Sequence, residues 1–230
     1  MTEYACSEEK FLKDVANHEL IVLRDEGVNR HIRLKKSGFN SYWFDLITWN
    51  GNLCIDGDMG TYVFSRIEDM FEFFRTDRKY ADMKGKKVII NPGYWAEKLK
   101  SISTYGKGPK EFDKEKFCEC VKSDYDNWFE SNRPDDDAEE SEKNDFKELA
   151  EALWEEIVSD VTSMSDDGEL RAVDAAVSFS SDSVPDFEFR DFWEHTLDSY
   201  TFHFIWCLYA IAWGIQKYDD AKDSQAEEAA

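Results

Sequence analysis

Short apolar runs punctuated by turn residues fill the first part of the chain. His18–Asp25 (HELIVLRD) and Arg30–Lys36 (RHIRLKK) flank a turn through Glu26-Gly27, and Tyr42–Trp49 (YWFDLITW) and Asn52–Asp56 (NLCID) are joined by Asn50-Gly51. These runs read as strands of an antiparallel meander, and Arg30–Lys36 alternates apolar and basic residues as a half-exposed strand should. Asn-Gly between apolar runs predicts a two-residue hairpin of type I′, in which both central residues take positive φ. Thr61–Arg66 (TYVFSR) then completes an antiparallel meander of about five strands.

The pattern next changes to helical spacing. Ile67, Met70, Phe71 and Phe74 fall on one face, and Phe117, Val121, Tyr125, Trp128 and Phe129 form a stripe over Phe112–Ser131. Phe146, Leu149, Leu153, Ile157 and Val161 repeat that stripe over Asn144–Thr162. Between the two, Arg133–Glu142 (RPDDDAEESE) reads as a mobile acidic loop. Lys87–Ile90 suits a short strand, and Pro92 suits the first turn of a helix running to Ser103, where its missing N–H is not needed. Further helices are expected at Glu169–Phe179 and, long or broken, at Phe187–Tyr218, with Ser180–Pro185 as a connection and a frayed tail after Asp219. The apolar run Tyr200–Ile215 contains His203 and is shorter than the ~20 residues of a membrane span.

The fold class is therefore α+β: an N-terminal antiparallel β-meander with helices, followed by an acidic, mostly helical C-terminal half. Charge sharpens the division. Residues 1–110 carry 18 Lys+Arg against 16 Asp+Glu, a net of +2, while residues 111–230 carry 10 against 34, a net of −24. The pattern breaks at Tyr105-Gly106-Lys107-Gly108-Pro109, where the charge changes sign. The expected parts are 1–110 (sheet) and 111–230 (acidic and helical), an arrangement also compatible with one integrated domain. A charge so one-sided repels itself, which points to an electrostatic partner. Five scattered cysteines read as reduced thiols, and MTEYACSEEK has no apolar signal segment. Both suit a cytoplasmic protein without a membrane association.

The candidate partner-binding carboxylates are Asp135, Asp136, Asp137, Glu139, Glu140, Glu148, Glu151, Glu155, Glu156 and Asp160. Positions 148, 151 and 155 share one helix face. Rows of carboxylates on helices approximate the charge of duplex DNA, roughly one per ~1.7 Å of axis. A chain built so can occupy the nucleic-acid channel of another protein, with aromatics such as Trp128 or Trp154 as anchors. The plainer alternative is a solvated, solubilising face. An EF-hand starting at Asp135 fails, because Glu140 stands where Gly is needed and Phe146 where Glu is needed.

Asp56-Gly57-Asp58-Met59-Gly60 holds two acids and two glycines in one loop. Asp56 and Asp58, with His31, make a candidate acidic loop site, against the commoner reading of a capped tight turn. His203 and Cys207 share a helix face, and Cys118-Glu119-Cys120 is too tightly spaced for a CxxC zinc half-site. Arg24, Arg30, Arg33, Lys35 and Lys36, followed by Arg75, Arg78 and Lys79, form a basic patch that serves phosphate binding or neutralises the acidic half. Phosphate-loop and dinucleotide fingerprints are absent. No catalytic residue, metal or cofactor is assigned.

Residues 42–75, YWFDLITWNGNLCIDGDMGTYVFSRIEDMFEFFR, and His203–Asp219, HFIWCLYAIAWGIQKYD, resemble an uncharacterised family of small acidic proteins of phages and prophages. The resemblance carries over no functional residue. It implies a setting in which small acidic accessory proteins inhibit host defences, anti-CRISPR and anti-restriction proteins among them. The function expected is an anti-defence inhibitor acting in the bacterial cytoplasm. Its partner is a host protein with a basic nucleic-acid-binding surface, and it makes no direct contact with nucleic acid. The alternatives are a small enzyme using Asp56 and Asp58, and an assembly protein that self-associates through its acidic and basic parts.

Overall fold

The computed structural model of the chain describes residues 5–80, 85–103 and 108–228, in two compact units. The break expected at Tyr105-Gly106-Lys107 lies outside the described residues. One unit, the sheet unit, comprises 1–111 and 200–230; the other, the helical unit, comprises 112–199.

The sheet unit is built on six antiparallel strands in sequential order: β1 (Glu19–Glu26), β2 (Asn29–Lys35), β3 (Phe44–Trp49), β4 (Asn52–Gly57), β5 (Gly60–Ser65) and β6 (Leu99–Ile102). Register pairs Leu34 with Phe44, Ile32 with Leu46, Leu46 with Ile55, and Leu53 with Phe64. One face is thus apolar over most of its area, with Arg30 paired to Thr48 at its end. The Asn50-Gly51 hairpin forms as expected, but only Gly51 has positive φ (73°). The turn is not the mirror-image type I′. It is tied down instead, Gly51 N–H donating to the Glu68 carbonyl at 3.1 Å and Ser65 Oγ to the Gly51 carbonyl at 2.8 Å.

β6 replaces part of the helix expected over Pro92–Ser103. The helix stops early, as α3 (Pro92–Ala96), following α1 (Glu8–Asp14) and α2 (Met70–Arg75). The chain then supplies partners to the open edge of β5, with Ser65 N–H donating to Lys98 and Ser103 N–H to Thr61. Unpaired strand edges are costly when buried, and that tertiary demand outweighs local helix propensity. Lys87–Ile90 is not a strand. The Lys87 and Val88 amides donate to the Glu8 carboxylate at 2.7 Å each, so ladder pairing is not needed.

The apolar sheet face is covered by α7 (Phe202–Glu228), buried almost all round from Phe204 to Trp213. A helix apolar on every side belongs inside a core. Trp206 meets Phe11 at 5.2 Å, Phe44 at 5.7 Å and Tyr42 at 5.9 Å between ring centroids. The C-terminal helix therefore belongs with the sheet and not with the acidic part expected over 111–230. Nor does the helix fray after Asp219. Asp219 accepts from Arg75 and Arg78, and Lys222 pairs with Asp25.

The helical unit contains α4 (Lys114–Asn132), α5 (Glu140–Asp160), a 3-10 turn (Thr162–Asp167) and α6 (Glu169–Val177). Its core joins Phe117, Val121, Leu153, Ile157 and Val161 to Phe187, Phe189, Phe192 and Leu197. Phe187, Phe189 and Leu197 sit in irregular chain and Phe192 opens a short 3-10 turn (Phe192–Glu194), where one helix over Phe187–Tyr218 was expected. Each ring inserts separately, and Asp191 takes a positive φ of 50° between them. On α5, Ala150 is buried where Leu149 was expected, and Leu149 is 39% exposed. Short strands β7 (Lys110–Phe112) and β8 (Asp198–Tyr200) pair with each other. Among the described residues no helix is long and apolar enough to cross a membrane.

Candidate acidic interaction surface

The unit division concentrates the charge further. Residues 112–199 hold 28 Asp+Glu against 8 Lys+Arg, a net of −20, and the rest of the chain holds 22 against 20, a net of −2. Nearly the whole charge of the chain, −22, is thus carried by 88 residues.

Amphipathic packing decides where these carboxylates go. α5 turns Leu153 and Ile157 inward, which sends Glu148, Glu151 and Glu155 into solvent. Asp135, Asp136, Asp137, Glu139, Glu140 and Asp160 are exposed as well. Glu140–Glu142, expected in a loop, form the first turn of α5, where the helix dipole favours acidic residues. The preceding connection is a hydrogen-bonded turn: Ala138 N–H donates to Asp135 at 3.0 Å, and Lys143 Nζ to the Asp136 carbonyl at 2.7 Å. Phe146 stacks on Trp128 at 5.7 Å and meets Phe129 at 5.1 Å, packing the start of α5 against the end of α4.

Among the described residues, only Glu151 of the predicted carboxylates meets a Lys or Arg, Lys147 at 3.8 Å. Glu156 has a different job. It accepts from the Asp182 and Ser183 amides at 3.1 Å each and from Ser183 Oγ at 2.5 Å. Hydrogen bonds from Ser181 and Ser183 hold its carboxyl below the usual range. Glu156 therefore fastens the 181–183 segment to α5, while the others face water.

Two grooves flank α4. One, of about 620 Å³, lies between α4 and α5 and is lined by Cys118, Glu119, Lys122, Ser123, Asp126, Asn127, Trp154 and Thr162. The other, of about 490 Å³, runs past Asp124, Trp128, Asp186, Phe187, Glu188 and Arg190. Each combines an indole with carboxylates.

The candidate loop site does not assemble. Asp56 accepts from Thr61 Oγ1 at 2.5 Å on the adjacent strand. Asp58 accepts from the Tyr42 amide at 2.9 Å, holding Tyr42 in its left-handed conformation (φ 61°). A Cβ on Gly57 would stand 2.2 Å from the Trp43 carbonyl oxygen, so this glycine serves close chain approach. His31 turns instead to Asp45 at 2.9 Å. Burial first and then Asp56 and Asp45 push the nearby Cys54 thiol up to about 11, which disfavours its thiolate. Burial also raises the Cys207 thiol, which lies among aromatic rings beside the Met59 carbonyl. Among the described residues no three His, Cys, Asp or Glu side chains converge as a metal set.

The basic patch is largely committed within its own unit. Arg30 forks onto Asp69 at 2.8 and 2.9 Å, and Arg33 onto Asp45 at 2.7 and 2.8 Å. Asp45 is the residue that sequence reasoning passed over. Its only sequence signal is an acid in an apolar strand directly opposite an arginine, and that pairing becomes visible only with register. Comparison of the chain with protein-family models, with curated proteins and with solved structures finds no match.

Proposed function

We propose that this protein is an inhibitor whose helical unit binds the basic nucleic-acid-binding surface of a host protein and keeps nucleic acid out of it. The observation that carries this reading is a net charge of −20 confined to one packed unit of 88 residues, with most of its carboxylates exposed and, of the ten candidate ones, only Glu151 meeting a Lys or Arg among the described residues. Disordered acidic tails solubilise without a fixed surface. Here the charges stand on helices fixed by aromatic packing, which favours a definite partner. Glu148 to Glu155 span a rise of about 10 Å with three carboxylates. That is sparser than one DNA strand, at one charge per ~3.4 Å. The mimicry is therefore one of field and steering, completed by neighbouring acids, and not phosphate-for-phosphate replacement. The phage and prophage resemblance supplies the setting, with a CRISPR effector, restriction enzyme or other defence nuclease as target in the bacterial cytoplasm.

The test is capture on the immobilised full chain at low salt, elution by a salt gradient, and assay of the captured protein's nucleic-acid binding with and without the inhibitor. Competitive loss of that binding, weakening steeply with salt, is the expected result. A captured partner that binds nucleic acid equally well in its presence, or an interaction indifferent to salt, overturns the proposal.

A further inference from the structure

In the groove between α4 and α5 a resident cation lies directly over the aromatic ring that lines it. Trp154 and Tyr125 lie 4.9 Å apart, and Lys122 Nζ stands 5.3 Å from the indole centroid and 5.1 Å from the phenol centroid. Asp126 pairs with the same ammonium. Glu119, one turn earlier on α4, faces the groove with no Lys or Arg partner among the described residues. The site thus offers a π face, an apolar floor and two carboxylates, one already holding a cation and one free.

We infer that this groove is the receptor for an arginine side chain of the protein partner, which displaces Lys122 from the Trp154 ring. The inference rests on the proposed function and names the chemistry of its central contact. Arginine fits better than lysine because its planar guanidinium stacks on an indole while forking onto a carboxylate, and it is the less strongly hydrated cation. An aliphatic stem suits the apolar floor. At about 620 Å³ the groove also accommodates the residues flanking the arginine, being within the ~300–1,000 Å³ of ordinary ligand clefts. Charge complementarity commits the occupant to a basic protein segment, since the −20 field of this unit repels nucleic acid and acidic ligands alike.

The test is a fluorescence-anisotropy titration of the full chain with a labelled peptide of alternating arginine and glycine, beside its lysine counterpart, at physiological ionic strength. The arginine peptide is expected to bind more tightly, and Trp154→Ala to weaken it about tenfold, the size of a partly desolvated cation–π contact. Lys122→Ala is expected to tighten the arginine peptide about threefold by removing the resident competitor; a folding defect cannot produce a gain. Equal binding of both peptides, unaltered by Trp154→Ala and Lys122→Ala, overturns the arginine receptor and leaves the acidic-surface reading standing. Binding of neither peptide, even at low salt, overturns both.

Discussion

In the sheet unit Asp45, Asp69 and Asp219 each turn to a guanidinium, whereas in the helical unit Glu148, Glu151 and Glu155 stand in solvent along α5. Both units bury aromatic rings in edge-to-face arrays, Trp206 against Phe11 and Phe44 in one and Phe117 against Phe192 in the other. The cores are alike in kind, then, and the treatment of charge is opposite. Paired, partly buried carboxylates lock strands and helices to one another. Exposed ones, whether without a Lys or Arg partner or in a long surface contact such as Glu151 with Lys147, contribute little or nothing to stability, and at close spacing they repel. Their use is a long-range field that raises association rates with a basic partner.

The largest effects should come from the shared feature. Trp206→Ala in the sheet unit and Phe117→Ala in the helical unit are each expected to cost about 4 kcal/mol, measured by urea denaturation. A loss below about 1 kcal/mol at either position would mean that the ring is not part of its unit's framework.

Next comes the feature that divides the units. The triple substitution Glu148→Gln, Glu151→Gln, Glu155→Gln is expected to weaken partner binding about 100-fold, on the order of 1 kcal/mol per carboxylate, with no loss of stability. Unchanged binding would move the contact off α5. The converse holds in the sheet unit, where Arg33→Met is expected to lower stability by about 2 kcal/mol, because it strips a nearly buried carboxylate of its main partner and leaves only His31. Acid gives the same contrast without mutation. Burial alone would raise the Asp45 carboxyl, but hydrogen bonds and charge from Arg33 and His31 outweigh it and hold the group below 3.8. Asp69 and Asp219 are lowered in the same way, by Arg30 and by Arg75 with Arg78. A depressed carboxylate contributes stability that is fully present above its unfolded value of 3.8 and is lost as pH falls through the folded one. The sheet unit should therefore lose stability below about pH 4, and Arg33→Met should flatten that fall.

Much of this architecture is legible before folding. Alternation at Arg30–Lys36, and the Asn50-Gly51 turn that follows the apolar run Tyr42–Trp49, reveal strands whose inner positions, Ile32, Leu34, Phe44 and Leu46, all reach one core. The acidic surface is legible too, since stripes such as Leu153 and Ile157 leave the other face of α5 to Glu148 and Glu151. What escapes depends on partners distant in the chain. Leu99–Ile102 is a strand only because β5 has an open edge, and α7 joins the sheet only because that face needs a cover. Asn50 avoids positive φ because Glu68 and Ser65 hold the turn in another shape. Glu156 looks identical to its neighbours until Ser183 is seen bonded to it. The Trp154 groove is likewise invisible until α4 and α5 are placed, because its carboxylates and its indole come from different helices.

Salt should produce the smallest effect and the one whose sign tests the contrast most directly. Raising ionic strength from about 0.01 M to 0.15 M shortens the screening length from ~30 Å to ~8 Å. The repulsion among exposed carboxylates of the helical unit extends over such distances and is relieved. The Arg33–Asp45 contact, at 2.7 Å with the carboxylate only 6% exposed, is hardly screened. The net effect of added salt is therefore stabilising, on the order of 1 kcal/mol, or a rise of about 2–4 °C in melting temperature for a chain of this length. The triple glutamine variant should show a smaller rise, since part of the repulsion is already gone, while Arg33→Met should respond like the parent. A melting temperature that falls with salt would mean that attractive surface pairs such as Lys114–Asp166 and Lys122–Asp126 outweigh the repulsion. The helical unit would then be held together by its charges, and the contrast with the sheet unit would be lost.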